Sequence, residues 1–322
     1  MKAARIHKYG GPGEVKLDTN APKPAVGDTQ VLIKAATAGV NPVDVITISG
    51  NFIFKPPLPW IPGWDAAGVV EDVGAKVTRL KKGERVFCAG NVSGAFAQYV
   101  VAEEKQTGRL GSKLTFAEGS GIGVPYYTAF KAAVHAAKVK AGESILIHGA
   151  SGAVGMAAVK LCKAMGVHVL GTAGTDTGLT LVKDNGADLA FNHREKGYED
   201  KIMAATGGGG VDVILEMVGN VNLSRDLQLI AKKGRIVIIG GVGETKIDPG
   251  VFLFKMPVVT GVNLPYTSEA EWWEMTAAIE AGIRLGWVRP VVAKEYPLSE
   301  AAQALTDIMA NRNNPGNLIL NI

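Results

Sequence analysis

The stretch SILIHGASGAVG, from Ser144 to Gly155, decides the fold of this 322-residue chain. An apolar strand pattern reaches His148, a turn of glycine and alanine follows, and a helical pattern begins directly after the turn. This order of strand, glycine turn and helix is typical of the first unit of a doubly wound α/β domain.

The small residues of the turn predict a dinucleotide-binding site. Ala150, Gly152 and Gly155 occupy the three positions of the G-x-G-x-x-G fingerprint, with alanine in the first and Gly149 beside it. Small residues are needed because a pyrophosphate must come within hydrogen-bond reach of backbone N–H groups at the helix N-terminus. A larger side chain there would hold the pyrophosphate away.

The residues after the turn predict a helix that packs on a sheet. Apolar side chains recur at helical spacing, and Gly166 is placed to end the helix. The predicted buried face consists of Val154, Ala158, Leu161, Cys162 and Met165.

Composition indicates an ordinary globular protein of two domains. The chain is 47% hydrophobic and 20% charged, and no apolar stretch reaches the length of a membrane span. Two cysteines, Cys88 and Cys162, are too few for a disulfide framework or a four-cysteine zinc site. We therefore expect a cytosolic protein that does not bind a membrane. The net charge of +4 is modest and scattered, so nucleic-acid binding is not indicated, although the sequence leaves it open.

The sequence pattern changes near residue 125. Before it, short β-like runs with Gly and Pro between them predict a mostly antiparallel β domain, with strands at residues 30–36, 68–73 and 85–89. After it, strands alternate with helices and predict a doubly wound parallel sheet. Its six expected strands lie at residues 145–148, 168–172, 189–193, 211–217, 235–240 and 258–264.

Two further segments complete this organisation. The glycine run at residues 207–210 predicts a surface turn rather than a phosphate site, because no helix begins after it. The tail carries an amphipathic helix near residues 269–281 and a closing strand near 317–322, and we expect it to return to the first domain.

Motifs along almost the whole chain resemble those of the zinc-independent quinone oxidoreductases, the zeta-crystallin-like branch of the medium-chain dehydrogenase/reductase superfamily. They are GVNPVD from Gly39, PGWDAAG from Pro62, KGERVF from Lys82, PYYTA from Pro125, HGASGAVG from His148, GTAGT from Gly171 and FNHRE from Phe191. The resemblance implies a GroES-like catalytic domain at residues 1–124 and 265–322, a Rossmann domain at 125–264, an active site in the cleft between them, and NADPH as the reductant.

The metal ligands of zinc-containing relatives are not expected here. Asn41 and Pro42 stand where the resemblance predicts a cysteine ligand, and the segment from Pro62 to Asp65 replaces a Gly-His-Glu segment. A catalytic zinc needs three protein ligands and one open position. Without such a Lewis acid, reduction of an already electrophilic acceptor is favoured over alcohol oxidation.

The end of the second Rossmann strand favours NADPH over NADH. NAD sites place an acidic residue there for the ribose 2′-hydroxyl, but this strand ends in Gly171-Thr172-Ala173-Gly174. Asp176 lies about 20 positions past the glycine turn, yet we expect it to be a helix N-cap. His193 and Arg194 at the end of the third strand are expected to face the 2′-phosphate.

The resemblance extends this cofactor site along the Rossmann domain. It comprises Ser151, Gly152, Ala153, Val154, Gly155, Gly174, His193, Arg194, Asn222, Ile239, Gly240, Gly241, Val242, Val262, Asn263 and Leu264, with Ile46 and Thr128. Ile46 replaces a tyrosine that resembles a cofactor-contacting residue of close relatives. Phe52 and Phe54 are candidates to compensate for its lost stacking, so acceptor preference is expected to differ.

Candidate catalytic residues lie on segments expected to border the nicotinamide: Asn41, Asp44, Tyr126, Tyr127 and Thr128. Asn41 and Thr128 are candidates to bind the carboxamide or the acceptor oxygen, and a tyrosine is a candidate proton relay. Structural roles stay open: Asn41-Pro42 as a turn, Asp44 as a helix cap, and both tyrosines as core aromatics.

The leading hypothesis is an NADPH-dependent reductase of small quinones. An NADPH-dependent reductase of 2-alkenals or enones is the alternative within enzymes, and an NADPH-binding structural or RNA-binding protein is the alternative from another class. A homodimer or homotetramer is expected from the resemblance, with the strand at residues 258–264 as a candidate for pairing.

Overall fold

The computed structural model describes residues 1–310 and 315–322 of the chain. These residues form two compact units, one of Met1–Tyr127 with Ser268–Ile322 and one of Thr128–Thr267. The strands are β1 (Ala3–Arg5), β2 (Lys16–Asp18), β3 (Gln30–Val40), β4 (Asp65–Val73), β5 (Arg85–Ala89), β6 (Tyr99–Glu103), β7 (Thr107–Arg109), β8 (Ser144–Ile147), β9 (His168–Ala173), β10 (Leu189–Asn192), β11 (Val211–Glu216), β12 (Ile230–Ile238), β13 (Val258–Gly261), β14 (Val292–Pro297) and β15 (Asn317–Asn321).

The helices lie between these strands along the chain. The α-helices are α1 (Pro42–Ile48), α2 (Phe116–Ser120), α3 (Gly123–Phe130), α4 (Ala153–Ala164), α5 (Asp176–Asp184), α6 (Tyr198–Ala205), α7 (Gly219–Leu229), α8 (Gly250–Lys255), α9 (Glu269–Leu285) and α10 (Ala301–Ala310). Short 3₁₀ helices span Pro12–Glu14, Glu104–Gln106, Leu264–Tyr266 and Leu298–Glu300, and a π-helix spans Lys131–Ala136. Among the described residues, no helix is long and apolar enough to cross a membrane.

The first unit is built on a mainly antiparallel sheet in the order β14-β15-β3-β4-β5-β7, with β6 also paired to β3. The closing strand β15 pairs antiparallel with β3, so that Leu318 lies opposite Val40. The tail therefore completes the sheet of this unit. Its core is formed by apolar side chains from both ends of the chain, among them Ile33, Phe96 and Leu320, each fully buried.

The second unit contains six parallel strands in the order β10-β9-β8-β11-β12-β13. Counted along this unit, the order is 3-2-1-4-5-6, which is the doubly wound arrangement of a Rossmann sheet. Central strands supply the fully buried residues Leu146, Leu170, Ile214 and Ile236. The predicted fold class is therefore confirmed.

Some element boundaries differ from those predicted. The last strand of the second unit ends at Gly261 rather than 264, because Leu264 opens a 3₁₀ helix with Pro265, which has no N–H to donate to a sheet. Helix α4 forms as predicted: Ala158, Leu161 and Cys162 are buried, whereas Val154 and Met165, also assigned to the buried face, are half-buried. The run from Gly207 to Gly210 forms the predicted turn before β11.

The predicted N-cap of α5 was wrong. Thr175, not Asp176, is the cap, because its backbone is extended and its hydroxyl accepts a 3.1 Å hydrogen bond from the Gly178 N–H. Asp176 is instead the exposed first residue of the helix, where a negative charge is favourable.

Candidate functional site

The glycine turn joins β8 to α4 in the second unit. Gly149 has φ of +56°, in the left-handed region that favours glycine, and the Gly152 N–H donates to the Gly149 carbonyl at 2.9 Å. A β-carbon on Gly155 would stand 2.4 Å from the Gly149 oxygen and 2.6 Å from Cα of Ala150. Only glycine therefore allows the helix to pack this closely on the turn.

The N-terminus of α4 fits an anionic group. Gly152 is the N-cap and has extended backbone angles, and it makes no side-chain capping bond. The first N–H groups of a helix have no acceptor within it, and the helix dipole favours negative charge there. Ser151, Gly152, Ala153 and Val154 are half-buried and surround this end of the helix. The cradle thus suits the pyrophosphate of a dinucleotide.

The remaining residues that sequence assigned to the cofactor follow the carboxyl ends of the other strands. Because all six strands are parallel, these segments lie at one edge of the sheet. Gly174 follows β9, His193 and Arg194 follow β10, Asn222 lies on α7 after β11, Ile239, Gly240, Gly241 and Val242 follow β12, and Val262, Asn263 and Leu264 follow β13. Ile46 and Thr128 lie elsewhere, on α1 of the first unit and on α3.

His193 and Arg194 lie against Gly174. A β-carbon on Gly174 would stand 2.9 Å from Nε2 of His193 and 2.9 Å from Nε of Arg194. Both residues are exposed. Partial burial of the ring, followed by the charges of Arg194, His148 and Arg225, lowers the pKa of His193. Two side chains from the end of β10 therefore lie against the tip of β9, where the sequence has no acidic residue before Asp176.

Asn263 is held by a buried lysine within the same unit. Lys131 Nζ donates to the Asn263 carbonyl at 3.2 Å and to Thr267 Oγ1 at 2.8 Å. Lys131 opens the π-helix of residues 131–136, a helix type that occurs often at functional sites. The segment after β13 is thus fixed by a cation that sequence analysis did not single out.

In the first unit, Asn41 and Asp44 are joined at the start of α1. Asn41 is the N-cap residue, and its backbone N–H donates to Asp44 Oδ2 at 2.7 Å. Asp44 therefore occupies the third helical position and caps the start of α1 as one half of a capping box with Asn41, the structural role that the sequence had left open. Burial, and to a lesser extent the charge of Asp65, raises the pKa of Asp44 well above its usual range, although N–H groups of Asn41 and Trp64 oppose the shift.

Asp65 is the buried centre of the same cluster. Asn41 Nδ2 donates to Asp65 Oδ2 at 2.9 Å, and the Val124 N–H donates to both carboxylate oxygens at 2.9 and 2.8 Å. A β-carbon on Gly123 would lie 2.1 Å from Asp65 Oδ1, so glycine is required there. Burial raises the pKa of Asp65 to about 7 despite these donors.

This cluster does not fit a catalytic zinc. The Asn41 amide nitrogen points at a carboxylate as a donor, and amide nitrogen is not among the ligands zinc uses in proteins. The nearby Cys88 is held as a neutral thiol, since burial and the charge of Asp65 raise its pKa to about 12. The side chains of this cluster are therefore not arranged as zinc ligands.

Tyr126 and Tyr127 are buried among aromatic side chains of the first unit. The Tyr126 hydroxyl accepts from the Arg289 N–H at 3.1 Å, and its ring lies 6.3 Å from that of Trp287. The Tyr127 hydroxyl pairs with Thr276 Oγ1 at 2.8 Å. Burial raises the pKa of both phenols. These are the contacts of core aromatics, the alternative that the sequence left open.

Three aromatic side chains form a partly exposed cluster near α1. The ring of Phe52 lies 5.1 Å from Phe54 and 5.9 Å from Trp64, and the Phe54 and Trp64 rings are 6.1 Å apart. Ile46 is half-buried on α1 in the same unit. The first unit therefore offers aromatic surface despite the isoleucine at position 46.

A buried polar cluster that the sequence did not indicate begins at the residue before the glycine turn. His148 Nε2 lies 2.9 Å from Asp226 Oδ1 and 3.7 Å from Glu216 Oε2. His148 precedes the turn, Glu216 ends β11, and Asp226 lies on α7. The one indication in the sequence is that these three polar residues lie within or beside apolar runs.

Comparisons with known proteins agree with this architecture. A family model described as alcohol dehydrogenase GroES-like domain matches residues 27–112, and one described as zinc-binding dehydrogenase matches residues 153–281. The quinone oxidoreductase of Sus scrofa is 47% identical over 320 residues, and that of Homo sapiens 44% over 320 residues. Each alignment covers 99% of this chain and 97% of the relative.

A solved structure shares the complete fold. Escherichia coli quinone oxidoreductase complexed with NADPH superposes with a TM-score of 0.89 at 26% identity, covering 100% of both chains. The fold and the glycine turn define an oxidoreductase of the medium-chain dehydrogenase/reductase superfamily. Within it, the chain belongs to the zeta-crystallin-like quinone oxidoreductases.

Proposed function

We propose that this protein is an NADPH-dependent quinone oxidoreductase that works without a catalytic metal. The proposal rests mainly on the 47% identity to a quinone oxidoreductase over 99% of the chain. When bound, NADPH supplies a hydride to the acceptor. The chain's own residues bind the reductant, orient the acceptor and exclude water.

The residues after the six parallel strands are proposed to hold the cofactor. The N-terminus of α4 and the glycine turn would accept the pyrophosphate, because they combine free N–H groups with small side chains. His193 and Arg194 would hold the 2′-phosphate, since they are basic and lie against Gly174. Asn222 and the segments after β12 and β13 would line the rest of the site.

The candidate acceptor-binding side chains are Asn41 and Thr128, with Asp44 positioning the first of them. The Asn41 amide is fixed by Asp65 and its backbone N–H by Asp44, so its orientation is set before an acceptor binds. Such preorganisation reduces the cost of orienting the substrate. The tyrosine hydroxyls already have partners, so we propose that water delivers the proton to a reduced quinone.

We also propose that two copies of the protein pair along β13 and that the protein lies in the cytosol. The strand β13 is an edge of the six-stranded sheet, and nearby Leu253, Phe254 and Val258 expose 79%, 78% and 56% of their surfaces. An apolar surface beside an open strand edge favours pairing of two copies, as a homodimer or within a homotetramer.

Both cysteines are free and buried, which suits the reducing cytosol.

An acceptor panel with product analysis tests the function. Purified protein should oxidise NADPH in the presence of 1,4-naphthoquinone or 9,10-phenanthrenequinone, at an unchanged rate after chelator treatment. A saturated ketone produced from an enone, without quinone turnover, would instead support the 2-alkenal or enone reductase. Tight NADPH binding with turnover of neither acceptor would support a binding or structural protein.

A further inference from the structure

We propose that His148, Glu216 and Asp226 form a buried proton-sharing network that positions the two loops flanking the cofactor. The inference rests on the proposed binding of NADPH to the second unit. The three side chains are nearly inaccessible, with His148 3% exposed and both acids fully buried. They belong to three elements of the same unit, namely the end of β8, the end of β11 and helix α7.

One end of the network reaches the glycine turn. His148 is the residue before Gly149, and its Nδ1 lies 3.4 Å from Thr172 Oγ1. The same hydroxyl accepts the Gly149 N–H at 3.2 Å, and the Thr172 carbonyl accepts the Ala150 N–H at 2.8 Å. The orientation of the imidazole is thus linked to the turn that would hold the pyrophosphate.

The other end reaches the loop after β11. Glu216 Oε1 accepts from the Val218 N–H and, at 3.1 Å, from Asn222 Nδ2. Asn222 is one of the proposed cofactor contacts. The position of its amide therefore depends on Glu216, which makes Glu216 a positioning residue.

The two buried acids need at least one proton between them. Glu216 Oε2 and Asp226 Oδ2 are buried and make no hydrogen bond to another described residue. Two such carboxylates beside one imidazole are stable only if protons lie between them. Burial, with the charge of Asp226, raises the pKa of Glu216 to about 7, against the opposing effect of His148.

The imidazole carries the second exchangeable proton of the network. Burial alone would lower the pKa of His148, but the hydrogen bond with Asp226 and the charges of both acids raise it. Arg225 opposes that shift, and His193 and Tyr198 are the other titratable groups facing the cluster. A proton of the network is therefore expected to dissociate near neutral pH.

Release of that proton should weaken NADPH binding. An added buried negative charge beneath the turn repels the pyrophosphate, and two charged carboxylates repel each other and disturb Asn222. When the network keeps the proton, this repulsion is absent and NADPH binds more tightly. We expect the Kd for NADPH to rise about tenfold between pH 6.5 and 8.5. A change of this size needs the release of only one proton that is linked to binding.

The variant Glu216→Gln tests the network. Its amide keeps an oxygen acceptor for Val218 and Asn222, offers an N–H₂ group to the unpaired Asp226 oxygen, and cannot titrate. NADPH is titrated by fluorescence against wild type, E216Q and the matched surface control D184N from pH 6.5 to 8.5. E216Q should flatten the pH dependence of Kd, while D184N should keep it. Ionisation of the 2′-phosphate contributes to the pH dependence of all three proteins.

Several results would overturn the network. A wild-type Kd that is flat over this pH range, or a pH dependence retained in E216Q, contradicts it directly. If E216Q does not fold, D226N gives the same comparison, because it also removes one buried charge. Elemental analysis showing one divalent cation per chain, lost in E216Q, would identify a metal site instead. Failure of wild type to bind NADPH at any pH would refute the proposed cofactor rather than the network.

Discussion

The backbone of Gly174 lies so close to His193 that a β-carbon on the glycine would stand 2.9 Å from Nε2 of the imidazole. The absent side chain lets the histidine and Arg194 close over the end of β9. Because the pKa of His193 is lowered, Arg194 supplies the positive charge at the position where many NAD sites carry an acid, and the imidazole offers a hydrogen-bonding group beside it.

Removing that charge should remove the preference for NADPH. The double variant H193Q/R194Q should raise KM for NADPH about 10- to 100-fold, because charge-assisted bonds to a phosphate contribute about 1.5 to 3 kcal/mol. KM for NADH should change less than about twofold. Steady-state kinetics with both cofactors measures this. The control K183Q removes an exposed lysine of α5. An equal rise of KM for NADPH in K183Q and in the double variant would show that only the net charge of the protein matters.

The glycine at position 155 should be needed for stability as well as binding. G155A brings a methyl group to within 2.4 Å of the Gly149 oxygen, and we expect it to lower the free energy of unfolding by about 1 to 3 kcal/mol. In G152A the atom nearest to the new methyl group would be 3.3 Å away, so the free energy of unfolding should fall by less than about 1 kcal/mol. Urea unfolding compares them, and equal stability of G155A and wild type would refute the packing argument.

Asp65 should give the protein a stability that falls as pH rises. Its pKa is about 7 in the folded state against 3.8 as a model value, so between these pH values the folded state binds more protons than the unfolded state. The contribution is present below about pH 4 and is lost as pH rises through 7. It amounts to about 4 kcal/mol.

The variant D65N isolates this contribution. Between pH 5 and 8, its free energy of unfolding should fall by about 3 kcal/mol less than that of wild type, as measured by urea unfolding at each pH. D184N, which changes an exposed acid, should follow wild type. Parallel curves for D65N and wild type would show that Asp65 is ionised in the folded protein at neutral pH.

The tyrosine hydroxyls are expected to be structural. Tyr127→Phe removes the bond to Thr276 and should lower the free energy of unfolding by about 1 kcal/mol, with kcat and KM for a quinone changed less than about threefold. Tyr126→Phe should behave alike, since its hydroxyl accepts from Arg289. A hundredfold loss of kcat in either variant, with unchanged stability, would identify a proton relay.

The sequence was informative where a local rule governs the structure. The spacing of Gly152 and Gly155 after an apolar strand reflects a steric demand that operates within a few residues, so the turn and the Rossmann class were predictable. The segments of the proposed cofactor site follow strand ends, and a parallel sheet brings those ends to one edge.

Long-range polar pairing was not predictable in the same way. His148 meets Asp226 across 78 positions, and each residue alone resembles an ordinary strand-end or helix residue. Asp65 needs Gly123 and Val124 around it, which no local pattern indicates. Thr175 took the cap expected of Asp176 because two adjacent residues have similar capping preference, and backbone geometry decides between them.

The measurement that tests the central claim most directly is the oxidation of NADPH and NADH by the purified wild-type protein with 1,4-naphthoquinone as acceptor, before and after chelator treatment. We expect quinone-dependent oxidation of NADPH, with kcat/KM at least about tenfold above that for NADH and unchanged by the chelator. NADPH oxidation no faster than in the absence of protein would contradict the proposed function.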